Sequence, residues 1–203
     1  MWKSRLTLIF LGVVLGLSAK AALPPDQLVR QQTDQLLSEL QAKKEILIDS
    51  PVRLYNMVDR IILPHIDFQY FAKRVLGKHW KTATPEQQTE FVEQFHLLLI
   101  RTYATALLSY TGQQIIYKPL KLKSGATKAR VKMEFVSNDG PRVQFSYSMR
   151  QGDDSNWRVF DIVIEGASLI TNYRKSYGNM IRKKGMQGLL DHLVQNNNNL
   201  GQP

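Results

Sequence analysis

Apolar residues recur at three- and four-residue steps through the first half of the chain and at two-residue steps through most of the second. After Pro24-Pro25-Asp26, the positions Val29, Leu36, Leu37 and Leu40 trace a first helix. Ser50-Pro51 reads as an N-cap followed by proline at the first helical position. Leu54, Tyr55, Val58, Ile61 and Ile62 then form one stripe, which Pro64 stops. Asp67 predicts the cap of a short helix that buries Phe68, Phe71, Ala72 and Val75 and ends at Gly77. Thr84-Pro85-Glu86-Gln87 spells a capping box, and Phe91, Phe95, Leu98, Leu99, Tyr103 and Leu107 carry a long helix to near Tyr110.

Period two begins at Ile115. A strand from Ile115 to Lys123 is interrupted by Pro119, which predicts an edge or a bulge. Val131, Met133 and Phe135 point one way and Arg130, Lys132 and Glu134 the other. Asn138-Asp139-Gly140-Pro141 turns the chain. Val143, Phe145, Tyr147 and Met149 then alternate with Arg142, Gln144, Ser146 and Ser148. Trp157 to Ile164 is apolar on nearly both faces, which predicts a central strand. Helical spacing returns from about Ser168 to Lys184, and a shorter helix follows with Met186, Leu189, Leu190, Leu193 and Val194. The order of elements predicts an α+β fold: a bent antiparallel sheet of about four strands with N-terminal and C-terminal helices.

The first residues change the boundaries. Lys3 and Arg5 precede an uncharged run from Leu6 to Leu17, and Ala19-Lys20-Ala21 fits a cleavage site. The run is too short for an ordinary membrane span, so residues 1–21 read as a cleaved signal peptide. A single domain is expected over 22–195, with 196–203 as a disordered tail. Cleavage leaves 182 residues and lowers the formal charge from +10 to +7, because Lys3, Arg5 and Lys20 are lost. The chain has no cysteine, which excludes disulfides, thiol catalysis and a lipid anchor on cysteine. A secreted chain stabilised by its core alone suits the periplasm.

Enzyme signatures are sparse. The four histidines, His65, His79, His96 and His192, show no metal-ligand helical spacing, and there is no Gly-rich phosphate loop or nucleophile elbow. No catalytic residue, metal or cofactor is expected. Asp161 and Glu165 flank the last strand and are the remaining acid–base candidates. They are expected in structural ion pairs instead, with Arg174 as a partner. Charge is more informative. Lys118, Lys121, Lys123, Lys128, Arg130 and Lys132 fall within 15 residues without an acid. Two further clusters are Lys73, Arg74, Lys78 and Lys81, and Arg174, Lys175, Arg182, Lys183 and Lys184. A solvated basic face competes here with attraction to polyanions. Behind a signal peptide, membrane headgroups move ahead of nucleic acid, and no nucleic-acid partner is expected.

Two segments carry a resemblance. One is Val75-Leu76-Gly77-Lys78-His79-Trp80 with Ala83-Thr84-Pro85-Glu86-Gln87-Gln88 and the apolar face from Phe91 to Tyr103. The other runs from Trp157-Arg158-Val159-Phe160-Asp161 through Glu165-Gly166-Ala167-Ser168 to Asn172-Tyr173-Arg174. Together they resemble the MlaC family, also called the toluene-tolerance auxiliary proteins, over about residues 50–194. Phe160 and Ala167 stand where the family often has Tyr and Val.

The resemblance implies a periplasmic phospholipid carrier between an outer-membrane lipoprotein complex and an inner-membrane ABC transporter complex. It also implies a fold similar to the nuclear-transport-factor-2-like class, with helices and sheet around an apolar pocket and no catalytic residues. A diffusing carrier is most simply a monomer. The expected pocket residues are Phe71, Val75, Phe95, Leu99, Tyr103, Met133, Phe145, Tyr147, Ile162, Leu169 and Tyr173. Lys121, Lys123 and Lys128 are expected to meet a membrane or a partner. The competing readings are a periplasmic enzyme of the same fold acting on an apolar substrate, and an adaptor without ligand.

Overall fold

The computed structural model describes residues 22–137, 140 and 142–200. The expected signal peptide at 1–21, the turn positions Asn138, Asp139 and Pro141, and residues 201–203 lie outside the described residues. Five helices come first: α1 (Pro25–Ala42), α2 (Lys44–Ile48), α3 (Pro51–Ile62), α4 (Phe68–Leu76) and α5 (Pro85–Tyr103). Strands β1 (Gln114–Tyr117), β2 (Lys128–Val136), β3 (Arg142–Gln151), β4 (Trp157–Ile164) and β5 (Ala167–Ser168) follow, and α6 (Leu169–Leu200) closes the chain.

The helix starts obey their capping chemistry. Thr84 and Gln87 form the reciprocal box: Gln87 N–H donates to Thr84 Oγ1 at 3.3 Å and Thr84 N–H to Gln87 Oε1 at 3.2 Å. Asp67 accepts from Tyr70 N–H at 2.9 Å, and Gly77, with φ +57°, ends α4. Ser50 departs from expectation, since its side chain makes no cap bond; its carbonyl accepts from Arg53 and Leu54 instead. The long helix also stops earlier than Tyr110. It tightens after Tyr103 into a 3₁₀ turn over Ala104–Ser109.

The sheet is antiparallel throughout, in the order β1-β2-β3-β4-β5. Its register pairs the positions that period two put on one face: Val131 with Tyr147, Met133 with Phe145 and Phe135 with Val143. Pro119 lies beyond the edge strand, which ends at Tyr117 although Lys118 N–H still donates to Lys132 O at 2.9 Å. The strand count exceeds four because Glu165 and Gly166, both at positive φ, close a two-residue hairpin that adds β5.

β4 is an interior strand, paired with β3 on one side and with β5 and Ile66 on the other. It carries apolar residues on both faces, and Phe160 meets Tyr70 of α4 at 5.2 Å between ring centroids. Pairing also slips by one in this strand. Met149 opposes Val159 while Ser148 opposes Asp161, so Phe160 is the extra residue of a bulge. The inward positions are therefore Trp157 and Val159 before the bulge and Ile162 and Ile164 after it.

In α6, Gly185 adopts φ 73° and ψ 177°, a conformation open to glycine, and divides the two helices that the spacing predicts. The expected disordered tail at 196–203 is corrected over 196–200, which are helical. Asn197 is only 2% exposed, its amide donates to Gln94 O at 2.9 Å and Gln94 Oε1 at 2.8 Å, and Arg101 donates to its carbonyl. Bonds to α5 hold a polar tract in place there.

Three apolar clusters result. One joins α4, α5 and α6, the second joins α1, α2, α3 and the 104–109 turn, and the third lines the inner face of the sheet under α1.

Candidate functional site

The inner face of the sheet meets two helical segments without complete closure. A cavity of about 70 Å³ lies between them. Leu28, Val29, Gln32 and Thr33 of α1 form one wall, and Ile62, His65 and Ile66 at the end of α3 and just after it form the second. Tyr147, Met149, Val159 and Ile162 of β3 and β4 form the floor. The bulge at Phe160 matters here, because it lets Val159 and Ile162 face the same side although they are three residues apart.

The lining is mostly hydrocarbon with a few polar tips. Burial pushes the Tyr147 phenol well above its ordinary range, so its hydroxyl stays neutral. Burial first, and the Arg158 charge second, hold the His65 imidazole below its ordinary value of 6.5. The unfolded chain then takes up a proton as pH falls through about 6.5, where the folded chain resists it. Stability is expected to fall below that pH. Urea midpoints between pH 7.5 and 5.5 check this: the wild-type midpoint should drop more than that of His65→Gln, and parallel curves would show that His65 does not carry the effect.

α1 is a thin wall. Leu28 and Val29 reach the sheet, while Leu36, Leu37 and Leu40 join Leu54, Met57 and Ile61 of α3. Its polar ties are few. Tyr117 donates to Asp34 Oδ1 at 3.3 Å, and Arg30 lies 4.1 Å from the centre of the Tyr117 ring. Glu39 accepts from Arg60 and Lys43, each at 2.6 Å, and these bonds lower its pKa.

The expected pocket residues fall into separate places. Tyr147 and Ile162 border the cavity. Phe71, Val75, Phe95, Leu99 and Leu169 are buried in the helical cluster, with Tyr173 packed against it. Phe95 there meets Phe71, Phe91 and Tyr173 at 5.3, 5.5 and 5.1 Å between ring centroids. Tyr103 stands at the surface, 37% exposed. Met133 and Phe145 lie on the inner face by register, beneath the cavity's neighbourhood rather than on its lining. Lys121, Lys123 and Lys128 border an open trough of about 1260 Å³ on the outer side of the sheet. Of the lining residues that sequence reasoning passed over, Met149 shares the alternation of Tyr147, and Val29 belongs to the first helical stripe.

The two carboxylates are not in the ion pairs expected of them. Asp161 caps α6: Oδ1 accepts from Ile170 N–H at 3.1 Å and Oδ2 from Ser168 Oγ at 2.8 Å. Glu165 accepts from Gln144 N–H, and Arg174 donates to Arg74 O. An anion at a helix start is an ordinary structural use. Among the described residues, no three His, Asp or Glu side chains gather as a metal site, and no helix is long and apolar enough to cross a membrane.

The chain is similar to known proteins in both sequence and fold. A family model described as MlaC protein matches residues 30–195. The intermembrane phospholipid transport system binding protein MlaC of Haemophilus influenzae is 26% identical over 196 residues, covering 96% of this chain and 92% of that one. The toluene tolerance protein ttg2D of Pseudomonas putida is 29% identical over 182 residues, covering 89% and 84%. A solved structure of a phospholipid-binding protein from Ralstonia solanacearum, in complex with a phospholipid, superposes with a TM-score of 0.80 at 30% identity, covering 87% of this chain and 98% of that one.

Proposed function

The chain belongs to the MlaC family, and on that premise we propose that it is a periplasmic phospholipid carrier whose acyl chains enter between α1 and the inner face of the sheet. It would take lipid from one membrane's transport complex to another's, between an outer-membrane lipoprotein complex and an inner-membrane ABC transporter complex. The observation that carries this reading is the apolar cavity closed by a lightly tied helix, in a fold that superposes on a phospholipid complex.

The energetics fit such a role. Two acyl chains with roughly 30 methylenes would cost about 24 kcal/mol to hold in water, at about 0.8 each. A free lipid monomer is therefore too scarce to cross an aqueous space. A protein that matches the bilayer's hydrocarbon loads and unloads near neutrality, so direction must come from its partners.

The cavity of about 70 Å³ lies far below the roughly 300 Å³ at which pockets for drug-sized ligands begin. The described state is thus closed, and loading requires a wall to move. α1 is the wall with the fewest ties, and Lys43, at φ −122° and ψ 16° between α1 and α2, is the natural hinge. The relatives are named for phospholipid binding and transport, and Asp161's capping bonds give the leading acid–base candidate a structural use, which supports the carrier reading over an enzyme.

Native mass spectrometry of the mature chain purified from a Gram-negative periplasm tests the proposal. A non-covalent adduct that fragments to a phospholipid is expected. A bare chain that also extracts no lipid from vesicles would reject it in favour of the adaptor reading.

A further inference from the structure

The outer side of the sheet holds a feature that lipid carriage does not use. The segment from Lys118 to Ala126 forms one bank of the open trough, and the outward side chains of β2 form the other. Lys128, Arg130 and Lys132 stand at alternate positions of β2, all exposed, and so repeat at about 7 Å. Lys121 and Lys123, again two apart, face them from the loop bank. The trough's one acid, Glu134, is engaged by Lys118 at 3.0 Å and Arg142 at 4.0 Å. The other five cations have no acidic partner among the described residues. The floor is mixed: Gln144, Ser146 and Ser148 line it beside the apolar Phe160 and Val163, and the buried Ser146 hydroxyl has no hydrogen-bond partner.

We propose that this trough binds an extended acidic segment of a partner protein, with carboxylates at alternate positions. An extended chain repeats its side chains every two residues at the same spacing of about 7 Å, so its carboxylates meet the β2 ladder in register. Its intervening polar side chains reach the serines of the floor. A bilayer surface matches less well, because fluid headgroups have no fixed spacing and a plane cannot enter a concave trough. The cations being exposed, the contact gains mostly rate and specificity and weakens with salt.

The test uses the mature chain and two fluorescein-labelled ten-residue peptides of equal composition. One alternates Glu and Ser, and the other has all its Glu before all its Ser. Fluorescence anisotropy should show the alternating peptide bound about fivefold more tightly, as two or three exposed ion pairs in register would give. Lys121→Glu, Lys123→Glu and Lys128→Glu together should weaken it about tenfold or more, while Lys183→Glu with Lys184→Glu on α6 should change little. Equal affinity for the two peptides, or equal loss in the two variants, would overturn the proposal in favour of a general basic field. Binding to phosphatidylglycerol vesicles but to neither peptide would overturn it in favour of a membrane. The proposal gives the carrier reading its docking face, yet its assay needs no lipid. A chain that holds phospholipid and ignores both peptides loses only the docking face, and one that binds the alternating peptide without lipid loses only the carrier.

Discussion

Val29→Trp is expected to yield a folded chain that purifies with about tenfold less phospholipid than the wild type. Val29 is 7% exposed and projects from α1 into the cavity, which an indole would fill. Overpacking at such a site costs about 1–3 kcal/mol. That falls within a stability of about 5–15 kcal/mol, and α1, with solvent on its far side, can shift outward to relieve part of it. The lipid has less room to adjust. Losing burial for only two methylenes costs about 1.6 kcal/mol, which is already about tenfold in affinity. Adduct intensity in native mass spectra, with circular dichroism to verify folding, measures the effect. Leu122→Trp, at an exposed loop position, is the matched control. A folded Val29→Trp chain with full lipid content would place the acyl chains elsewhere.

Phe95→Ala should act in the opposite sense, on stability rather than on lipid. Phe95 is fully buried where α4, α5 and α6 meet, and its ring contacts Phe71, Phe91, Tyr173 and Tyr177. Deleting a buried phenyl group costs about 3–5 kcal/mol, through lost transfer energy and the cavity left behind. For a chain of this size that lowers the melting temperature by about 6–20 °C. Lipid content per folded chain should stay near the wild-type level. If lipid is lost while the melting temperature holds, the helical cluster, and not the α1 cavity, is the binding pocket.

These two variants separate residues that look alike along the chain. Phe95 and Tyr147 are both large, apolar and periodic, yet one is locked among helices and the other floors a cavity. The strand register was legible because alternation admits one inward set: Val131, Met133 and Phe135 could face only Tyr147, Phe145 and Val143. Capping chemistry placed the starts of α4 and α5 just as directly. What period and capping do not encode is which helix crosses which face. That Val29 rests near Met149 and Val159 depends on how a chain segment more than a hundred residues away folds back over it. Asn196 to Leu200 misled for a related reason. Its composition favours fraying, and only the bonds from Asn197 to Gln94 of α5 reverse that preference. Bulk does not separate the two sets either: Phe71, Phe91 and Phe95 fill the helical core, while Tyr147 borders the cavity beside the smaller Val29 and Val159.

The bulge in β4 leaves a signature that a saturation mutagenesis scan of this strand would display as a change of beat. Tolerance to charged substitutions should be lowest at odd numbers up to Val159 and at even numbers from Ile162 onward, with Phe160 and Asp161 both intolerant at the junction, one for its aromatic contact and one for its cap. Insertions and deletions should show the same logic. A one-residue deletion elsewhere in β4 throws downstream side chains to the wrong face, whereas at Phe160 it restores a regular ladder that keeps Ile162 and Ile164 inward and loses only the aromatic contact to Tyr70. In homologous chains, length changes in this strand should therefore be confined to the bulge and to the turns that bound the strand.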